Sequence, residues 1–179
     1  MQRWFDRSFP SDLPPSILPN IIERLRGTPA RLEEHLHNLP QSVLTKRWEN
    51  SWSIQENAGH LCDLEPLWMG RVRDLQAGKT ELTAADLTNR VTWDRNHNAA
   101  PLEAILRSFR TARGTLVGEL DTAEQSLLER SAQHPRLGTP MRLIDLAFFV
   151  AEHDDHHLER ITQLKRFGGV ERNSESLFS

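Results

Sequence analysis

Leu143, Leu146, Val150, His153, His157, Ile161 and Leu164 form a single stripe of three- and four-residue steps near the end of the chain. Steps of that size place residues on one face of an α-helix. The face is apolar at both ends, so it turns toward a core, and it carries His153 and His157 into that core one helical turn apart. Imidazoles are costly to bury without partners, so a chain with this stripe needs hydrogen-bond acceptors or a metal ion between its helices.

The rest of the chain supplies those helices. From Ser16 to Leu39, Ile17, Ile21, Leu25, Leu32 and Leu36 recur at helical spacing around Gly27-Thr28-Pro29. This pattern predicts one long helix kinked at Pro29 or two stacked short ones. Ser53-Ile54-Gln55-Glu56 is a capping box that opens a second helix, carried by Ala58, Leu61, Leu64, Trp68, Val72 and Leu75 and stopped at Gly78. From Gly78 to Pro101 the periodicity fades into a long connection, of the kind that is functional or disordered in a compact domain. Pro101 suits the start of a third helix with Leu102, Ile105, Leu106, Phe109, Leu116 and Leu120 inward. Thr139-Pro140 reads as the start of the fourth, which Gly168-Gly169 end. No run alternates as a strand would. The expected fold is all-α, a four-helix bundle forming a single domain over residues 1–179, with a long crossover connection between the second and third helices.

Charge and composition narrow the partners. A net charge of -3 and a pI near 6.2 argue against nucleic acid or an anionic membrane and leave a small-molecule substrate as the expected partner. Cys62 is the single cysteine, which excludes an internal disulfide and a cysteine-based zinc site and fits a reducing compartment. Met1 to Phe9 lacks the apolar core of a signal peptide, and no stretch has the 18 or so apolar residues of a membrane span. A cytoplasmic protein is expected.

The second helix offers a third imidazole, His60, in register with Asn57, Leu64 and Leu67 on its inward side. Bundles build metal sites from facing helices in this way. Three histidines leave at least one coordination position open, and a water or thiol there loses its proton near neutral pH. Zinc, nickel, copper and iron all accept such ligands. His156, three residues from His153, competes with His157 as a ligand, and the stripe favours His157. Asp154 and Asp155 are turned about 100° and 200° from His153 and read as solvated or ion-paired. Asp63 is placed to orient a ligand from outside the metal's immediate shell. Cys62 reads as a small core or boundary residue. Trp52 is a candidate pocket wall, Trp48 and Trp68 are core or cap residues, and Trp93 and His97 lie in the connection that would cover an open metal position. His35, His37 and His134 read as surface groups, and Arg107, Arg110 and Arg113 as a solvated face, with anion binding the lesser alternative.

The segment Trp52-Ser53-Ile54-Gln55-Glu56-Asn57-Ala58-Gly59-His60-Leu61, followed by His153-Asp154-Asp155-His156-His157-Leu158, resembles the DinB/YfiT-like superfamily of metal-binding four-helix bundles. Its motifs are W-S-x-x-E-x-x-x-H-L and a later H-x-x-x-H, matched here at His60, His153 and His157. The Thr28-Pro29 kink extends the likeness into the first helix. The resemblance implies a three-histidine site for a divalent metal, zinc or nickel first, in a homodimer. It also implies the chemistry of relatives that transfer low-molecular-weight thiols such as bacillithiol, or isomerise maleylpyruvate with mycothiol. The expected function is a metal-dependent, thiol-activating S-transferase acting on electrophilic small molecules, with such a thiol as cosubstrate. The alternatives are a metal-dependent hydrolase, for which the sequence offers no obvious carboxylate base, and a non-catalytic metal- or ligand-binding stress-response protein.

Overall fold

The computed structural model describes residues 3–49 and 51–175, those from 168 on by their backbone alone. In chain order the helices are α1 (Leu18–Leu36), α2 (Gln41–Leu44), α3 (Ile54–Gln76), α4 (Arg90–Asp94), α5 (Leu102–Asp121), α6 (Gln125–Leu128) and α7 (Leu143–Glu175). Strands β1 (Ser131–Gln133) and β2 (Pro140–Arg142) lie between α6 and α7. The long helices α1, α3, α5 and α7 make a four-helix bundle. Each of α1 and α3 packs on both α5 and α7, so α1 sits diagonal to α3 and α5 diagonal to α7. The long connection after the second helix is residues 77–101, and it folds back on α3 through α4 and the 3-10 turn His97–Ala99.

Local chemistry explains the helix boundaries. The Ser53 hydroxyl accepts from the Glu56 amide at 3.1 Å, while the Glu56 carboxylate accepts from the Ser53 amide at 2.8 Å. Both free donors at the start of α3 are thereby satisfied. At the other end Gly78 takes a left-handed φ of +68° and its amide donates to Leu75 O. Pro29 does not divide α1 in two. Its missing N–H frees the carbonyl of Leu25, four residues earlier, and Arg113 Nη1 donates to that oxygen at 3.4 Å.

Two boundaries differ from the sequence reading. Thr139-Pro140 does not start the fourth helix, because Pro140 begins β2, which pairs antiparallel with β1 in the register Ser131 to Arg142 and Gln133 to Pro140. The helix begins at Leu143 instead, with Asp145 Oδ2 accepting from the Arg142 amide at 3.0 Å and pairing with its guanidinium. Three-residue strands are too short to show alternation against a helical background. Gly168-Gly169 do not end the fourth helix, since α7 continues to Glu175. A glycine in a helix costs only about 1 kcal/mol relative to alanine, which a continuing helix tolerates.

The core is divided. One apolar cluster gathers around Trp68, Leu116, Phe149 and Val150, and a second around Leu32, Ile54, Phe109 and Leu158. Between them lies a layer of buried polar side chains contributed by all four long helices: Thr28, Glu65, Arg113 and Asp154. Arg113 is not part of a solvated face, as its spacing from Arg107 and Arg110 had implied. Its guanidinium is 1% exposed and pairs with Glu65 at 2.6 Å and with Asp154. It occupies the step between Phe109 and Leu116 on the inward side of α5. Asp154 is likewise ion-paired and buried rather than solvated, and it also accepts from the Thr28 hydroxyl at 2.8 Å. Asp155, on the next face, pairs with Arg24 and Arg31 nearer the surface.

Candidate metal centre

His60 on α3 and His153 and His157 on α7 meet just beside this polar layer. The three side chains are buried and offer one candidate ligand atom each, all within 4.8 Å of one another. Ring centroids lie 4.6 Å apart for His153 and His157, 4.8 Å for His60 and His157, and 5.4 Å for His60 and His153. Burial, opposed by Asp63, lowers the His60 pKa to about 4. Burial also holds His153 and His157 well below the ordinary value, helped by the other imidazoles. At neutral pH all three are therefore neutral, the form that ligates a metal.

Partners fix two of the rings. His60 Nδ1 lies 3.0 Å from the Thr92 hydroxyl oxygen, and that hydroxyl donates to Asp63 Oδ2 at 2.8 Å. With its proton committed to Asp63, Thr92 accepts from His60 Nδ1–H, which leaves Nε2 of His60 with its lone pair free. His157 Nδ1 meets Asn57 Oδ1 at 2.9 Å, and Asn57 Nδ2 donates to Ser53 O at 2.7 Å, so the amide oxygen is the acceptor and His157 donates. Again Nε2 is left free. His153 differs: its Nδ1 is buried and has no hydrogen-bond partner. An orphaned buried nitrogen and two rings with oriented lone pairs are what a nitrogen-binding metal ion would complete.

Asp63 anchors a wider support. His97 Nε2 donates to Asp63 Oδ2 at 2.8 Å, and Arg95 pairs with Oδ1 at 2.9 Å. Burial pushes the Asp63 carboxyl up, but the hydrogen bonds from His97 and Thr92 outweigh it and leave the group below its ordinary value. The His97 ring lies so close to Gly59 that a Cβ there would collide with it. His97 thus supports the centre from behind and does not cover it.

The histidines open onto a cavity of ≈ 470 Å³. Trp52 forms one wall, its ring 4.5 Å from that of His60. Trp68 stands edge-on to His153 at 5.5 Å, and Trp4, from the N-terminal segment, does the same at 5.1 Å. His156 also lines the cavity, with its ring centroid 5.6 Å from that of Trp4, but it lies outside the three-histidine cluster. Trp93 is 46% exposed and packs on Trp52 from outside. Burial raises the Cys62 thiol to about 11, which suits an inert boundary residue. His134 is not a surface group: it is 2% exposed and lines the cavity together with Arg71 and Arg136. Trp4, Thr92, Arg71 and Arg136 escaped the sequence reading, which places Asn57 on the inward side of the second helix without a role and reads His134 as a surface group. Asn57, three residues before His60, and Arg71, four after Leu67, both fall on the inward stripe of α3 and left a periodic signal there.

Residues 24–161 match the family model of the DinB superfamily. Among solved structures the chain is similar to YfiT from Bacillus subtilis, described as "a probable metal-dependent hydrolase with an unusual four-helix bundle topology", with 20% identity, 91% of this chain and 94% of that chain covered, and a TM-score of 0.77. It is also similar to a protein from Streptococcus pneumoniae, with 10% identity, coverage of 89% and 93%, and a TM-score of 0.65. An uncharacterized protein from Clostridium difficile 630 gives 12% identity, coverage of 89% and 98%, and a TM-score of 0.65. At these identities the likeness is one of fold. No functionally curated protein matches the chain.

Proposed function

The chain belongs to the DinB superfamily, and from its three-histidine pocket we propose a metal-dependent enzyme in which His60, His153 and His157 hold one divalent ion, zinc or nickel, and a thiol is transferred to an electrophilic small molecule. The observation that carries this reading is the pairing of two imidazoles whose Nδ1 protons are spoken for with a third whose Nδ1 is buried and unpartnered. When bound, such an ion supplies a Lewis acid that lowers the pKa of a thiol or water at its open position to near neutrality.

The residues around it do the rest. Trp4, Trp52 and Trp68 give the cavity apolar walls that exclude water and suit a hydrophobic electrophile. In the transfer, the sulfur forms a bond to the electrophilic carbon, the leaving group departs with its electron pair, and the thiol proton passes to solvent or to His156. The one carboxylate on the described cavity lining is Asp86, whose oxygens are occupied by Thr88 and the Arg90 amide. A thiol needs less help from a base than water does, and this supports thiol transfer over hydrolysis. Hydrolysis is the second reading, favoured by the description of YfiT and by the imidazole of His156, which lines the cavity and can take a proton from water.

Elemental analysis of the purified protein tests the site, with one equivalent of metal expected in the wild type and little in His60→Ala or His157→Ala; full retention in both variants would sink it. Consumption of several low-molecular-weight thiols with a chlorinated aromatic then tests the reaction. A metal-loaded protein that turns over none of them is not a transferase of this kind.

A further inference from the structure

The far end of the same cavity has more hydrogen-bond donors than acceptors. Arg71 is 2% exposed yet has no carboxylate partner among the described residues. Its Nε donates to Thr83 O at 2.9 Å, and its Nη1 lies 3.1 Å from His134 Nε2. His134 Nδ1 meanwhile faces the backbone amides of Arg136 and Leu137, each at 3.2 Å. A neutral imidazole has one acceptor nitrogen. If Nδ1 accepts from the amides, Nε2–H points at the Arg71 guanidinium; if Nε2 accepts from Arg71, Nδ1–H points at the amides. Either tautomer sets a donor against a donor. Nearby, Arg136 Nη2 is buried without a hydrogen-bond partner among the described residues, its guanidinium lying 5.2 Å from the centroid of the Phe5 ring.

Charge points the same way. The described lining carries Arg71, Arg136 and Arg160 against the single carboxylate of Asp86, in a chain whose net charge is -3. Burial first, and then the neighbouring Arg136, lower the Arg71 pKa to about 10, the mark of a cation missing its counter-charge. Asp74, the acid nearest to Arg71 in effect, is already held by Lys79 and Thr83. Trp68 links the two ends of the cavity, since the Arg71 guanidinium lies 5.4 Å from the centroid of the same indole that stands edge-on to His153.

We propose that Arg71, Arg136 and His134 form an oxyanion-binding subsite, so that the molecule acted on at the three histidines carries a carboxylate or phosphate on its far side. A planar guanidinium with free N–H groups binds either oxyanion. The aromatic walls between the subsite and the histidines select a ligand with an apolar middle. The proposal rests on the functional reading only in taking this pocket as the substrate's; the subsite itself needs no metal.

Tryptophan fluorescence titration of the full chain with benzoate and phenyl phosphate, and with uncharged benzamide as the isosteric control, tests it at fixed ionic strength. At least tenfold tighter binding of one or both anions over benzamide is expected, the tighter anion identifying which group the subsite takes. Arg136→Gln, at a half-buried position, and Arg71→Gln should each remove at least tenfold of that preference and leave benzamide binding unchanged. Where circular dichroism shows that Arg71→Gln is unfolded and Arg136→Gln is folded, Arg136→Gln decides the matter. In His157→Ala the preference should persist, since it does not arise from anion binding at a metal. Equal affinity for anion and benzamide in the wild type, an undiminished preference in Arg136→Gln, or loss of the preference in a folded His157→Ala would each overturn the proposal. Persistence of the preference in a wild-type protein that takes up no zinc or nickel when either is supplied would keep the subsite and remove the metal reading.

Discussion

His157 donates from Nδ1 to the side-chain oxygen of Asn57 at 2.9 Å, across the interface of α7 and α3. The Asn57 amide is pinned in turn by Ser53 O, so the first turn of α3 decides which nitrogen of His157 faces its neighbouring imidazoles. Groups that orient ligating imidazoles in this way are worth about 10- to 100-fold in metal affinity. Asn57→Ala should lower affinity by about that factor, measured by competition with a chelator, while the helix content stays that of the wild type. Unchanged affinity would show that the contact orients nothing.

Thr92 occupies the corresponding place behind His60. Thr92→Val keeps the shape and removes the hydroxyl, leaving His60 Nδ1 without its acceptor and Asp63 without one donor. A fall in metal affinity of about tenfold is expected. Asp63→Asn should act in the same direction, and a double variant no worse than either single one would place both on one path.

Gly59 is required by the approach of His97. In Gly59→Ala the new methyl group meets the His97 ring, and relief requires moving the ring off Asp63. Overpacking of this kind costs about 1–3 kcal/mol. Urea unfolding should show that loss together with weakened metal binding; a fully stable variant would mean that His97 is free to move.

Arg113 is the single cation between two buried carboxylates. Burial, reinforced by Asp154 and opposed by Arg113, pushes the Glu65 carboxyl up to about 7. In Arg113→Met both acids lose their partner, which costs about 3–5 kcal/mol at neutral pH. The deficit should shrink as pH falls from 7 toward 5, where Glu65 takes up a proton, and denaturant midpoints at the two pH values check this. A deficit that does not change with pH would assign the loss to packing alone.

His134 sets a pH dependence of its own. Burial first, then Arg71 and Arg136, lower its pKa from 6.5 to about 4. Between those values the unfolded chain binds a proton that the folded one refuses, so this contribution to stability is present above pH 6.5 and lost as pH falls toward 4. His134→Gln does not titrate. The stability gap between wild type and variant should therefore be widest near neutral pH and narrow in acid, as read from denaturation curves across that range.

The bundle and the meeting of His60, His153 and His157 were legible because each depends on steps of three and four along one helix, reinforced by the capping box at Ser53. Arg113 was legible in principle. It sits on the stripe between Phe109 and Leu116, but the neighbouring arginines at positions 107 and 110 gave the segment the look of a solvated face. Trp4, Thr92 and His134 lie in short or irregular segments with no period to read, and only the tertiary fold brings Trp4 and His134 to the cavity and Thr92 behind His60. The β-hairpin at Ser131–Arg142 was invisible for the same reason, and its proline imitated a helix start.

The layer of Thr28, Glu65, Arg113 and Asp154 ties all four long helices together within one residue of His153 along α7. The height and rotation of that histidine are then set by ion pairs that need no ion in the pocket. Under the proposed reading, loading and unloading become exchange reactions of a finished receptacle, uncoupled from folding. Which ion sits there in a cell would be decided by relative supply and intrinsic ligand preference, and a purified sample would carry a record of the medium in which it was grown.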